Sequence, residues 1–188
     1  MRQLLIAGTG NVLLGDDGVG PFVIKVLESQ YDFAESVELL DLGAPGLDLP
    51  IYFSGADTVI LIDSAKFGGE AGEMRMFRKD EIVWTPPHTR IDPHSLTLRE
   101  SISLVDLTGA MPRELLLIGV QGRSFEPGSP LSTPVRQCIP LVIDAVRAEL
   151  YRLDIWCEPK PSAGIPAVWW DPIFKQRKEE ECACYTSD

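Results

Sequence analysis

The chain is poor in the features that mark specialised protein classes. Basic residues are scarce: 17 lysines and arginines stand against 28 aspartates and glutamates, a net charge of −11. An acidic chain has no positive surface for a phosphate backbone, so we expect no nucleic-acid partner. No apolar run approaches the roughly 20 residues that a membrane-spanning helix needs, so we expect no membrane insertion.

Cysteine is sparse too, and its four positions give no disulfide framework. Cys138 and Cys157 stand alone, while Cys182 and Cys184 lie at the far end of the sequence. Small secreted domains usually depend on several paired cysteines. The first apolar run meets Gly8 at once and is too short for a signal-peptide core, so we expect a cytoplasmic protein.

Common catalytic motifs are missing as well. The sequence has no His-Glu-x-x-His zinc motif, no Gly-x-Ser-x-Gly elbow and no Gly-Lys-Ser/Thr phosphate loop. Histidine is limited to His88 and His94, both in a proline-rich segment. A catalytic imidazole, if the chain uses one, must be one of these two.

Short continuous apolar runs, typical of buried strands, alternate with segments whose apolar residues recur at helical spacing. This alternation is typical of α/β proteins. We predict a three-layer α/β sandwich with a twisted, mostly parallel sheet of about five strands between helices. The predicted strands are residues 4–7, 37–42, 58–62, 74–77 and 115–120. Helices are predicted to begin near Pro21, to cover residues 47–53 and 95–107, and to run from Pro130 or Ser132 to about Leu153. Pro140 is expected to kink the last helix or to remove one of its hydrogen bonds.

Two segments depart from this alternation. Residues 84–93 hold three prolines and are predicted to form a loop. Residues 1–153 are predicted to form the α/β domain and residues 154–188 an irregular tail. Because Trp156, Trp169 and Trp170 lie in that tail, part of it should pack on the domain or on a partner.

A glycine-rich loop joins the first strand to the first helix, with Gly-Thr-Gly-Asn at 8–11 and Gly-Asp-Asp-Gly-Val-Gly at 15–20. A dinucleotide site is one interpretation, but position 13 is leucine where that pattern needs glycine. The tandem Asp16 and Asp17 would also repel a pyrophosphate. Either aspartate could simply cap the helix, but two in tandem indicate a second role.

Two further polar residues complete a candidate site. Asp63 follows a buried strand, and the carboxyl ends of such strands are where α/β sheets place ligands. His94 precedes a predicted helix. Together Asp17, Asp63 and His94 offer oxygen and nitrogen ligands that suit zinc or nickel, although spacing alone leaves their convergence open.

An ordered set of motifs resembles the hydrogenase maturation endopeptidases. In single letters the motifs are GTGNVL (8–13), DDGVG (16–20), DLGAPGL (41–47), VILID (59–63), HSL (94–96), GVQ (119–121) and GSPLS (128–132). They fall in order across residues 3–152. The resemblance implies a twisted sheet between helices and removal of a C-terminal peptide from a nickel–iron hydrogenase large-subunit precursor.

The same resemblance implies that Asp17, Asp63 and His94 contact the nickel that the substrate carries. Zinc or cadmium are expected to fit the same ligands. Many relatives have glutamate at the Asp17 position, so the shorter aspartate must approach the metal more closely.

Cleavage would use a metal-polarised carbonyl or a metal-activated water. Otherwise nickel serves recognition only, and Asp16 or another carboxylate acts as the general base. The predicted catalytic set is therefore Asp16, Asp17, Asp63 and His94, as in an aspartic-type endopeptidase. A non-hydrolytic nickel carrier or assembly chaperone would need the same ligands and is the alternative.

Overall fold

The computed structural model describes residues 3–84 and 96–161, and residues 164, 166, 168 and 170. The strands are β1 (Leu4–Thr9), β2 (Tyr31–Phe33), β3 (Val37–Gly43), β4 (Thr58–Ala65), β5 (Met74–Arg78), β6 (Glu114–Gln121) and β7 (Cys157–Pro159). The α-helices are α1 (Val19–Gln30), α2 (Leu49–Phe53), α3 (Lys79–Trp84), α4 (Leu96–Leu107) and α5 (Thr133–Arg152). Short 3₁₀ turns over Gly15–Gly18 and Gly46–Asp48 lead into α1 and α2.

Five strands form the central sheet in the order β3-β1-β4-β6-β5. The first four run parallel, and β5 is antiparallel to β6. The predicted mostly parallel sheet of about five strands is therefore confirmed. Strands β2 and β7 form a separate antiparallel pair.

Side chains alternate between the two faces of the sheet and build two apolar layers. On β1, Leu4 and Ile6 pack in the cluster with α1 and α5, while Leu5 and Ala7 pack in the cluster with α2 and α4. This period-two alternation on strands buried on both faces explains why the runs are apolar throughout. The predicted three-layer sandwich is confirmed.

Several element bounds differ from the prediction. Strand β4 continues to Ala65, so Asp63 lies within the strand and pairs with Gly119 of β6. Helix α3 was not predicted, because its six residues are too few for a periodic pattern. Helix α5 passes through Pro140 as one continuous element, with this proline on the exposed side.

Part of the tail packs against the domain, as predicted. Val168 is 4% exposed and belongs to the cluster of α1 and α5, and Trp170 packs against the same cluster. Strand β7 lies in the segment expected to be irregular, where backbone pairing with β2 orders it. The domain boundary at 153/154 stays a prediction.

The loop was predicted over residues 84–93, but Trp84 is the last residue of helix α3. Residues 85–93, which include His88, lie outside the described residues, as do His94, Cys182 and Cys184. Within the part of the chain that the structure describes, no helix is both long and apolar enough to cross a membrane.

Candidate functional site

Two of the three predicted ligands meet at the carboxyl edge of the parallel strands. Asp17 lies in the 3₁₀ turn that follows β1, and Asp63 lies near the end of the neighbouring strand β4. They are close enough for the charge of Asp17 to act on Asp63. Adjacent parallel strands thus bring together residues that are 46 positions apart in the sequence.

Ser64 contacts both carboxylates. Its backbone N–H donates to Oδ1 of Asp63 at 2.8 Å, and its hydroxyl donates to Oδ1 of Asp17 at 2.9 Å. The other oxygen of Asp17 accepts the backbone N–H of Asn11 at 2.7 Å. The hydroxyl of Thr9, on β1, donates to the carbonyl oxygen of Ile62 at 3.4 Å and lies close enough to Asp63 to lower the pKa of its carboxyl. All these donors are neutral, so the hydrogen bonds orient the two carboxylates without cancelling their charge.

The environment of Asp63 disfavours its ionised form. Burial raises the pKa of the Asp63 carboxyl well above its ordinary value, and the neighbouring charge of Asp17 raises it further. The hydrogen bonds from Ser64 and Thr9 act in the opposite direction but are the weaker effects. A divalent cation would remove this repulsion, because it interacts favourably with both carboxylates at once.

Asp16 has a different environment from Asp17. It is fully buried, and its Oδ2 accepts the backbone N–H groups of Arg123 at 2.7 Å and Ser124 at 3.0 Å. Ser132 donates its N–H to Oδ1 at 2.6 Å and its hydroxyl to Oδ2 at 2.9 Å. Asp16 therefore fastens the glycine-rich loop to the segment between β6 and α5. Its role as general base stays a prediction, and these contacts favour a structural role.

The glycines of the first loop are required by close backbone packing. A Cβ on Gly20 would lie 2.4 Å from the carbonyl oxygens of Thr9 and Ile62, and one on Gly8 would lie 2.3 Å from that of Gly20. At Gly10 the backbone has φ +127°, and a Cβ would meet the carbonyl oxygen of Asp17. Helix α1 and the acidic turn can thus lie directly against β1 and β4, which accounts for the pattern without a dinucleotide.

Sequence reasoning missed Ser64 and Thr9. A serine after a strand aspartate and a threonine between two glycines are common, so neither carries a distinctive signal. Only the pairing of β1 with β4 shows that both reach the acidic pair. Among the described residues no group of three potential metal ligands is found. Within the described residues the site thus consists of two carboxylates, and the predicted third ligand, His94, is not among those residues.

Comparisons with known proteins point to one family. The profile described as hydrogenase maturation protease matches residues 21–149. The hydrogenase expression/formation protein HupD of Rhizobium leguminosarum bv. viciae is 31% identical over 186 residues, 96% of this chain and 92% of that protein. The hydrogenase 2 maturation protease of Escherichia coli is 31% identical over 158 residues, 84% of this chain and 96% of that protein. A solved structure, the hydrogenase maturating endopeptidase HybD from Escherichia coli, aligns with a TM-score of 0.75 at 30% identity, covering 84% and 98% of the two chains.

Proposed function

The chain belongs to the hydrogenase maturation protease family, and we propose that it removes the C-terminal extension of a nickel-loaded hydrogenase large-subunit precursor. The observation that carries this proposal is the pair of carboxylates, Asp17 and Asp63, held side by side at the carboxyl edge of the sheet. In this proposal the nickel arrives with the precursor and is part of the substrate.

The acidic pair suits recognition of a metal-bearing substrate. Each carboxylate has about four lone-pair sites, and the neutral donors described above use only some of them. Both aspartates therefore keep oxygen lone pairs for a divalent ion. His94 is proposed to supply a nitrogen ligand, which would complete a mixed oxygen and nitrogen set suited to nickel.

This arrangement makes the metal a condition for productive docking. A precursor without nickel would face two like charges with nothing to offset them. A loaded precursor would bring a cation that both aspartates can bind. The nickel would supply Lewis-acid polarisation of the scissile carbonyl or activation of water, or it would serve recognition alone.

The direct test is processing of a purified nickel-loaded precursor by a much smaller molar amount of this protein. The reaction is followed by the mass of the precursor's large fragment. We expect many precursors to be shortened per protein molecule, whereas a non-hydrolytic carrier would shorten none. Alanine substitutions at Asp17, Asp63 and His94 should each abolish processing, while exposed Asp144, which pairs with Arg147 on helix α5, offers a matched Asp144→Ala control. Full processing by all three site variants would overturn the site assignment.

A further inference from the structure

Ser64 donates a hydrogen bond to each of the two described aspartates of the site. The N–H and the hydroxyl of one residue therefore reach two carboxylates that come from different strand ends. Ser64 itself is fixed within β4, where it pairs with Val120 of β6. Its hydroxyl is thus presented from a paired strand and not from a loop.

The two hydrogen bonds do different things. The bond to Asp63 comes from the backbone N–H, so any residue other than proline at position 64 would keep it. The bond to Asp17 comes from the hydroxyl and depends on the side chain. Without it, Asp17 keeps the Asn11 N–H on its other oxygen but loses the tie to β4. The carboxylate would then be free to turn away from Asp63, as like charges favour.

We propose that Ser64 is a positioning residue, which holds the Asp17 carboxylate beside Asp63 so that one substrate-borne nickel ion can contact both. The inference rests on the proposed function and deepens it by naming a residue that sets the geometry of metal recognition. Groups that orient metal ligands in this way typically change metal affinity about 10- to 100-fold when they are removed.

The test uses calorimetry to measure how tightly Ni²⁺, without any precursor, binds to the full chain of wild type and of each variant. Ser64→Ala removes only the hydroxyl, and Ser64→Thr keeps a hydroxyl on a side chain that strands tolerate well. We expect the Kd of Ser64→Ala to rise by about 10- to 100-fold and that of Ser64→Thr to stay near the wild-type value. Ser29→Ala is the matched control, because the Ser29 hydroxyl bonds to backbone carbonyls of Val26 and Gly164 away from the site.

Processing of the nickel-loaded precursor gives a second readout. Ser64→Ala should raise KM with little change in kcat, and its Tm should stay near the wild-type value. A residue that served only fold stability would show the opposite, a lower Tm with an unchanged KM. Equal Ni²⁺ affinity and equal KM in wild type and Ser64→Ala would overturn the inference while leaving the proposed function intact. Weak binding by Ser64→Thr as well as Ser64→Ala would also overturn it. Failure of wild type both to bind Ni²⁺ and to process the precursor would instead refute the proposed function itself.

Discussion

Replacing Asp16 by asparagine separates the two roles that this residue could have. The side chain keeps its size, so the change tests charge and hydrogen bonding alone. Placing the amide oxygen at the Oδ2 position keeps the acceptor for Arg123, Ser124 and the Ser132 hydroxyl. The amide nitrogen then faces the backbone N–H of Ser132, which donates to Oδ1 at 2.6 Å in the wild-type chain.

When two donors face each other, the new amide N–H of the fully buried side chain at position 16 is left without an acceptor. Such a group costs about 1–3 kcal/mol, and the remaining bonds weaken because their acceptor is no longer charged. For a domain of this size, about 2 kcal/mol corresponds to a fall in Tm of roughly 4–8 °C. We expect Asp16→Asn to show this loss of stability and to keep processing its precursor at temperatures where it remains folded.

Thermal unfolding followed by circular dichroism and precursor processing at a low temperature provide the two readouts. Asp17→Asn is the matched control, since it changes the neighbouring acidic residue, which is only partly buried. We expect the opposite pattern there, with a small change in Tm and loss of processing. If Asp16→Asn kept the wild-type Tm but lost all processing, the structural role would be refuted and a general-base role supported.

Two further predictions concern the fold around the site. Burial alone would raise the pKa of Glu149, but hydrogen bonds from Arg78 and Arg152, together with their charges, outweigh it and lower the pKa to about 2. The stabilisation that ionised Glu149 gives the fold is therefore present above its unfolded-state pKa of about 4.5 and is lost as the pH falls toward 2. Urea unfolding should show Glu149→Gln about 1–3 kcal/mol less stable than wild type at pH 7. The effect is limited because both arginines are about half exposed to solvent. A Glu149→Gln difference that is the same at pH 7 and pH 3 would contradict this. Gly20→Ala places a Cβ 2.4 Å from two strand carbonyls, so urea unfolding should show a loss of at least about 1–3 kcal/mol, and wild-type stability would contradict the packing described here.

The fold was largely predictable from the sequence, because the strands are buried on both faces. Continuous apolar runs such as the one ending at Ile62 mark such strands, and the glycine and proline residues between them mark the turns. The short elements escaped prediction. Helix α3 is too short to show a period, and β7 forms because the distant strand β2 offers a partner. The local sequence therefore shows no periodic pattern for α3 and no sign of the strand that pairs with β7.

The site was predictable in its residue types but not in its contacts. Asp17 was identified as one of the tandem aspartates in the glycine-rich loop, and Asp63 by its position after a buried strand. The order of strands in the sheet brings the two together. The different environments of Asp16 and Asp17 were beyond sequence reasoning, since both are aspartates in one turn. Only the segment from Arg123 to Ser132, folded over the turn, distinguishes the buried carboxylate from the one that faces Asp63.

The proposed trimming of a hydrogenase large subunit can be checked in the host from the C-terminal mass of that subunit. The gene would be deleted and restored either as wild type or as Asp17→Ala, and each large subunit would be purified and weighed. We expect one large subunit to keep its extension in the deletion strain and only the wild-type copy to remove it. Complete trimming of every large subunit in the deletion strain, with nickel missing from one of them, would refute the protease function and identify a nickel carrier instead.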